Sequence, residues 1–557
     1  MDADNPDVII VGAGFAGLYA IHRFRDLGLS IKVLEAGDDV GGTWFWNRYP
    51  GARCDVPSLE YSFGFSSELE QEWHWPEVFS AQPDILEYAN HVADKFDLRR
   101  DIQFNTRVIS VEYLDEDNLW SLTSEAGEVF TAQFCIMATG CLSVPNKPEI
   151  PGEDEFSGLK LHTGLWPKES VDLSEKRVGI IGTGSSAVQT IPELAKVAGH
   201  LTVFQRTPVY TVPANRKAMR NAVESEFKKN YRLIRERQWK NRGGVSNFRP
   251  TQSVPSTSKR GLGGGQRGDA GPIKPMSPEQ RQAIIEERGL AAILNFTDVY
   301  TDPDANEIAN ELFRSKVRTV VDDPTVAEKL LPQGYGLGCK RQVLDRGYYA
   351  TYNRDNVTLV DLKQTPIERI TSKGLTTTDK EYDLDVLIYA TGFDAMTGAL
   401  LKINITGRDG RRLADKWAFG PVAYLGLQME GFPNLFTVTG PGSPSVLCNM
   451  LVAIEQHVNW IGDCIKYLDR MGLSSIEPAS ESEQRWVQQV NKVADGTMFT
   501  APSCNSWYLG ANIEGKPKIF MPYVGGFPQY RAHCETEANE GYPGFSLQGL
   551  QHCDYLP

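Results

Sequence analysis

Residues 7–20 read DVIIVGAGFAGLYA. The apolar run Val8 to Val11 leads into Gly12, Gly14 and Gly17, then into the amphipathic stretch LYAIHRFRDLG. Strand, glycine turn and helix is the order of a dinucleotide fold. The glycines permit a tight turn, close backbone approach to a pyrophosphate, and close helix–strand packing, while the helix N-terminus supplies donors and a favourable dipole. A second strand-like run, SIKVLEA, ends in Glu35, where a carboxylate would take a pair of ribose hydroxyls.

Residues 177–190, RVGIIGTGSSAVQT, repeat the pattern with Gly182, Gly184 and, in the third place, Ala187. Laid over SIKVLEA, the next run LTVFQRT sets Gln205 opposite Glu35 and follows it with Arg206. An acid that would repel a 2′-phosphate is missing, and a guanidinium that would bind one is present. The second site therefore reads as binding NADPH rather than NADH. The first has its ribose acid and is followed by the aromatic segment GGTWFWNRYPGARCD, so FAD is assigned there.

The segments FCIMATG (134–140) and VLIYATG (386–392) each read as a strand ending in Ala-Thr-Gly. Such a turn lets backbone pass close to a cofactor or returns the chain between domains. The predicted class is α/β, with two Rossmann-like dinucleotide-binding domains. The FAD domain covers 1–140 and 386–557. The NADPH domain, 141–225 and 332–385, is inserted in it, and carries a helical insertion over 226–331. Helical patterning covers 215–250 and 276–331, with a start signal at SPEQ (277–280). Residues 251–272, rich in glycine and serine, read as a mobile surface loop.

Size and charge narrow the partners. At 557 residues the chain exceeds one core. Its net charge of −14 disfavours nucleic acid and anionic membrane. No apolar run reaches the length of a membrane span, and the acidic N-terminus is unlike a signal peptide. Nine scattered cysteines with no CxxC predict reduced thiols in the cytoplasm and no metal site. Oligomeric state stays open.

Between the first ATG turn and the second fingerprint lies FSGLKLHTGLWP, 156–167. Gly158 and Gly164 argue against a helix, and strict alternation is absent, so an irregular crossing between the domains is expected. Phe156, Gly158, His162 and Trp166 match FxGxxxHxxxW, followed here by Pro167. That pattern, flanked by both nucleotide motifs, resembles the type I Baeyer–Villiger monooxygenases over nearly the whole chain. Further matches are WNRYPGARCD, GTGSSAVQ, FQRTP, GCKR, ATGFDAMTGAL, NLFTVTGPGSPSVLCNM, SWYLGAN and YVGGF.

The resemblance implies that NADPH reduces FAD and that a flavin peroxide inserts one atom of molecular oxygen into a ketone, giving an ester or lactone. Sulfoxidation is an implied side activity. It implies FAD contacts at Gly12, Gly14, Phe15, Ala16, Gly17, Glu35, Thr43, Trp44, Trp46, Asp55, Tyr61, Val108 and Met450. Implied NADPH contacts are Arg53, Cys54, Asp55, Thr183, Gly184, Ser185, Ser186, Ala187, Val188, Gln189, Arg206, Thr207, Lys340 and Arg341. Arg341 matches the family's active-site arginine. A fixed cationic fork suits a peroxide anion and a tetrahedral oxyanion, and Asp55 would orient it. Phe156, Gly158, His162 and Trp166 are expected to anchor a hinge rather than perform chemistry. Ser445, Val446, Leu447 and Trp507 are candidates for the ketone pocket. Two other readings remain beside it: a flavin N- or S-oxygenase acting on amines or thioethers, and a non-oxygenating flavoprotein, either a reductase or a redox sensor. Heteroatom attack forms no tetrahedral oxyanion, and no CxxC serves a reductase.

Overall fold

The computed structural model describes residues 5–213, 218–248, 250 and 270–549. Two five-stranded sheets, all of whose strands run parallel, organise the chain. The first has the order Leu435–Thr437, Phe134–Met137, Val8–Val11, Ile31–Leu34, Ile102–Gln103. The second has the order Val357–Asp361, His200–Gln205, Arg177–Ile181, Val386–Tyr389, Leu159–His162. Val8–Val11, Phe134–Met137 and Val386–Tyr389 are buried at every position. Continuous apolar runs are what parallel strands covered on both faces require.

Alternation decides which core each residue joins. Val8 and Ile10 face the helices Phe15–Asp26 and Met450–Met471, whereas Ile9 and Val11 face a smaller core with Trp120, Leu122 and Phe432.

Three expectations need correction. The stretch 156–167 is not an irregular crossing: Leu159–His162 is the edge strand of the second sheet, paired parallel with Val386–Tyr389 in the register His162 to Tyr389. Gly158 precedes that strand because a Cβ there would lie 2.5 Å from the carbonyl oxygen of Asp385. The first domain does not resume at 386, since Val386–Tyr389 is a strand of the second sheet; the first sheet regains the chain only at Leu435–Thr437. Within the C-terminal part, Phe499, Tyr508, Leu509, Phe520 and Val524 also join the second core.

The third correction concerns the insertion. Its helices Asn221–Lys229 and Tyr231–Lys240 bury Val223, Phe227, Tyr231 and Ile234 in the first core. The helices Pro303–Val320 and Pro324–Leu330 pack on the second. The start signal at SPEQ is found: Ser277 caps Pro278–Arg288 and exchanges hydrogen bonds with Gln280. Of the glycine-rich stretch, 251–269 lies outside the described residues.

The two connections that lead from a strand of one sheet to a strand of the other, after Met137 and after Tyr389, are stitched together. Asn146 donates to Gly392, Asp394 to Val144 and Met396 to Cys141, each at 2.8 Å through the backbone. Among the described residues no helix is long and apolar enough to cross a membrane.

Candidate functional site

Each glycine turn sits against one ATG turn. A Cβ on Gly12 (φ +107°) would lie 2.7 Å from the carbonyl oxygen of Ala138, and one on Gly182 (φ +109°) 2.5 Å from that of Ala390. Only glycine fits either place. A Cβ on Gly17 would lie 2.0 Å from the Gly12 carbonyl oxygen. Gly14 caps Phe15–Asp26 and Gly184 caps Ser185–Val197, in both cases without a side-chain partner for the first amides. Those amides point to an anion site at each helix start. Among the described residues nothing beyond its chain neighbours lies within 4 Å of a Cβ built on Gly184, so backbone there is open to a ligand.

Glu35 ends its strand 5% exposed. Its carboxylate accepts from the amides of Ala13 (2.6 Å) and Gly37 (2.7 Å), and burial pushes its carboxyl above the usual range. Glu35 thus lies beside the first glycine turn. Trp44 donates from Nε1 to Tyr61 at 3.2 Å. Thr43 opens the short helix Thr43–Trp46 and is exposed, while Trp46 packs edge-on against Phe45. Phe15 turns into the core against Tyr61 and Phe63, and Ala16 packs at that core's margin. Val108 lies on the other face of the first sheet with Val11 and Leu34.

At the second turn, Thr183 donates to the carbonyl of Thr207 at 2.8 Å. Ser185 and Ser186 begin the helix, Ala187 and Val188 are buried, and Gln189 bonds both Tyr49 (2.8 Å) and the Arg53 carbonyl (3.0 Å). The Arg53 guanidinium instead meets Glu77 at 2.8 Å and the Phe79 carbonyl. Cys54 is buried, with its thiol pushed up by burial. Gln205, opposite Glu35 in the alignment of the two motifs, is fully buried and donates to the Lys329 carbonyl.

Beside this turn lies a cluster of cations. Burial pushes the Lys340 amine down to about 8, and Arg206 and Lys363 add to the shift. The Asp361 carboxylate accepts from the Lys363 amide at 3.0 Å, and the Lys340 amine lies 4.9 Å over the Tyr335 ring. Three cations brought together, one of them half-buried, fit a phosphate better than they fit one another.

Arg341 follows Lys340 and reaches towards the other sheet. Its Nε and Nη2 donate to the same Asp55 oxygen, at 2.9 and 2.7 Å, and Nη1 donates to the Val446 carbonyl at 2.6 Å. The Tyr508 hydroxyl accepts a further bond. Asp55 raises the already high arginine pKa, so the charge is permanent. Around it, Cys141, Ala395, Met396 and Met521 form an apolar cluster flanked by Val446, Met450 and Trp507. Ser445, in the left-handed region (φ +43°), bonds Met396, and Leu447 packs against the second core. Tyr508, Cys141, Met396 and Met521 were not picked out by the sequence reading. SWYLGAN marked the first, but no pattern points to the others.

His162 sits where the two crossings meet. Its Nδ1 accepts from the Gly164 amide at 2.9 Å, which leaves Nε2 to donate towards the Asn146 carbonyl and Thr391, both at 3.4 Å. Burial lowers its pKa, so the ring is neutral. Phe156 packs on Phe204 and Leu387, and Trp166 lies in the second core.

A family model described as pyridine nucleotide-disulphide oxidoreductase matches residues 9–241. A Baeyer-Villiger monooxygenase from Pseudooceanicola batsensis is 41% identical over 544 residues, covering 96% of this chain and 95% of the relative. A solved structure described as oxidized steroid monooxygenase bound to NADP is 47% identical, with a TM-score of 0.89 over 98% of this chain and 99% of that one. A structure of OTEMO in complex with FAD and NADP is 38% identical, with a TM-score of 0.89 over 97% and 99%.

Proposed function

This chain belongs to the Baeyer–Villiger monooxygenases, within the class B flavoprotein monooxygenases, and from that premise we propose how its own residues divide the work. It is an FAD- and NADPH-dependent enzyme that converts a ketone and molecular oxygen into an ester or lactone. We assign FAD to the Gly12–Gly17 turn, Glu35, and the Trp44–Tyr61 pair. NADPH goes to the Thr183–Gln189 turn, with its 2′-phosphate on Arg206 and Lys340. The mutual repulsion of these two cations supports that choice, since a phosphate would relieve it. We keep the cytoplasm as the compartment, where NADPH is supplied.

Bound FAD, reduced by NADPH, supplies the activated oxygen. Addition of that oxygen to a ketone carbonyl places negative charge on the carbonyl oxygen. Arg341 faces that charge as a permanent cation, and Asp55 fixes its plane through two donors on one oxygen. Cys141, Met396, Val446, Met521 and Trp507 offer the ketone an apolar wall and keep water away. The Asp55–Arg341 pair, which joins the loop after the first fingerprint to the segment after the cation cluster, carries this reading.

The test is product analysis. The purified enzyme with NADPH, ¹⁸O₂ and a panel of linear, cyclic and aryl ketones is expected to yield esters or lactones bearing one labelled oxygen. Consumption of NADPH with only sulfoxide or N-oxide formed from matching thioethers and amines would overturn it.

A further inference from the structure

The sequence predicts nine reduced cysteines, and the structure departs from this at one pair. Cys339 and Cys504, 165 residues apart in sequence, are joined by a disulfide with their Cα atoms 5.4 Å apart. The six other described cysteines are unpaired and buried. Burial pushes their thiols up, that of Cys141 to about 11 and that of Cys534 to about 12, and none of the six is bonded to another described cysteine.

The position of the bridge gives it meaning. Cys339 immediately precedes Lys340 and Arg341. Cys504 opens the segment that carries Trp507 and Tyr508, and the Tyr508 hydroxyl is bonded to Arg341. The bond thus ties the two segments that meet at the arginine. It is also shut in, with Cys339 1% and Cys504 4% exposed. Disulfides in a reducing compartment are usually transient and redox-sensing rather than permanent staples.

We propose that Cys339 and Cys504 form a peroxide-responsive redox site that locks the Arg341 segment to the Tyr508 segment. This rests on the monooxygenase reading for the source of oxidant, which is hydrogen peroxide released when oxygen insertion fails. One thiolate attacks the peroxide O–O bond, giving a sulfenic acid and water. The second thiol displaces water from that sulfur and forms the disulfide. Two electrons and two protons leave the thiols, and one peroxide becomes two waters. A small oxidant made in the adjoining site reaches the buried pair more readily than a protein reductant does, so leakage closes the lock and a dithiol reopens it. With the bond open, Tyr508 and Arg341 lose their covalent tether and a smaller share of NADPH oxidation ends in ester.

The experiment uses the full-length FAD-loaded enzyme. It is incubated with dithiothreitol, desalted, and split between buffer and hydrogen peroxide. Differential alkylation and peptide mass spectrometry then read the pair. Both cysteines are expected to alkylate after reduction and to be protected after peroxide. The ratio of ester formed to NADPH consumed should rise at least twofold from the reduced to the oxidised sample. In Cys339→Ser/Cys504→Ser that ratio should not respond to either treatment. A pair that stays bonded in the folded enzyme throughout reduction, or one that cycles while wild-type coupling stays constant, overturns the proposal. Alkylation is read without any ketone, so the absence of ester would count against the monooxygenase reading and leave the thiol result standing.

Discussion

Thr163 Oγ1 and Ser186 Oγ lie 3.1 Å apart and share a hydrogen bond. The first residue follows His162 at the end of the edge strand, and the second lies in the opening turn of the helix that starts at the second glycine fingerprint. The end of the second sheet's edge strand is therefore tied to the nucleotide turn of the same sheet through Thr163, and to both crossings through His162. His162→Ala and Trp166→Ala should keep FAD bound, because neither touches the first glycine turn. They should lower ester formation and raise hydrogen peroxide release, measured by flavin absorbance, chromatography and a peroxidase-coupled assay. Flavin lost on purification would show that these residues only support the core.

Arg206→Ala should raise the KM for NADPH by about one to two decades, the loss of a charge-assisted contact worth roughly 1.5–3 kcal/mol. The KM for NADH should change little. Equal losses with both nucleotides would show that Arg206 does not read the phosphate.

Lys340 adds a pH dependence whose sign follows from its lowered pKa of about 8. Below that pH the free enzyme carries the ammonium that a phosphate needs. Above it the amine is neutral in the free enzyme, and binding must take up a proton. The KM for NADPH should be flat below pH 8 and rise by up to about tenfold per pH unit above it. Lys340→Arg, charged throughout, should flatten that rise. An identical profile in both enzymes would assign the pH effect elsewhere.

Arg341→Ala should retain FAD and still accept hydride from NADPH, since that step needs stacked rings and no added cation. Ester formation should fall by about two to three decades, the cost of removing one oxyanion donor at roughly 2.7–4 kcal/mol. NADPH should then be spent on hydrogen peroxide. Stopped-flow absorbance follows reduction and chromatography follows ester; ester at near wild-type rate would remove Arg341 from the chemistry.

Local chemistry made both fingerprints readable. Gly12 and Gly182 announce a turn that no other residue fits, and Glu35 and Arg206 stand at fixed offsets from them. The pairing of Asp55 with Arg341 came only with the family resemblance, since the two lie far apart in sequence. The edge strand Leu159–His162 escaped notice because it is short, has glycine on either side, and owes its existence to a distant partner, Val386–Tyr389. The sequence alone places that partner in the first domain for a related reason, whereas it pairs in the second sheet. Both ATG turns follow a buried four-residue strand, and only hydrogen bonding to Arg177–Ile181 tells them apart. Cys339 and Cys504 carry no spacing signal, because their encounter depends on how the C-terminal segment returns to the second core.

The paired crossings have a mechanical consequence. Two antiparallel segments linked by Asn146–Gly392, Asp394–Val144 and Met396–Cys141 make a ribbon rather than a string. A ribbon bends readily across its flat face. It resists torsion and shear, because either motion must stretch one backbone against the other or break the links between them. The ribbon thus fixes the register between 141–146 and 392–396 at this joint, and it acts beside the other ties between the two cores, the helices Asn221–Lys229 and Tyr231–Lys240 in the first and the C-terminal residues Phe499 and Tyr508 in the second.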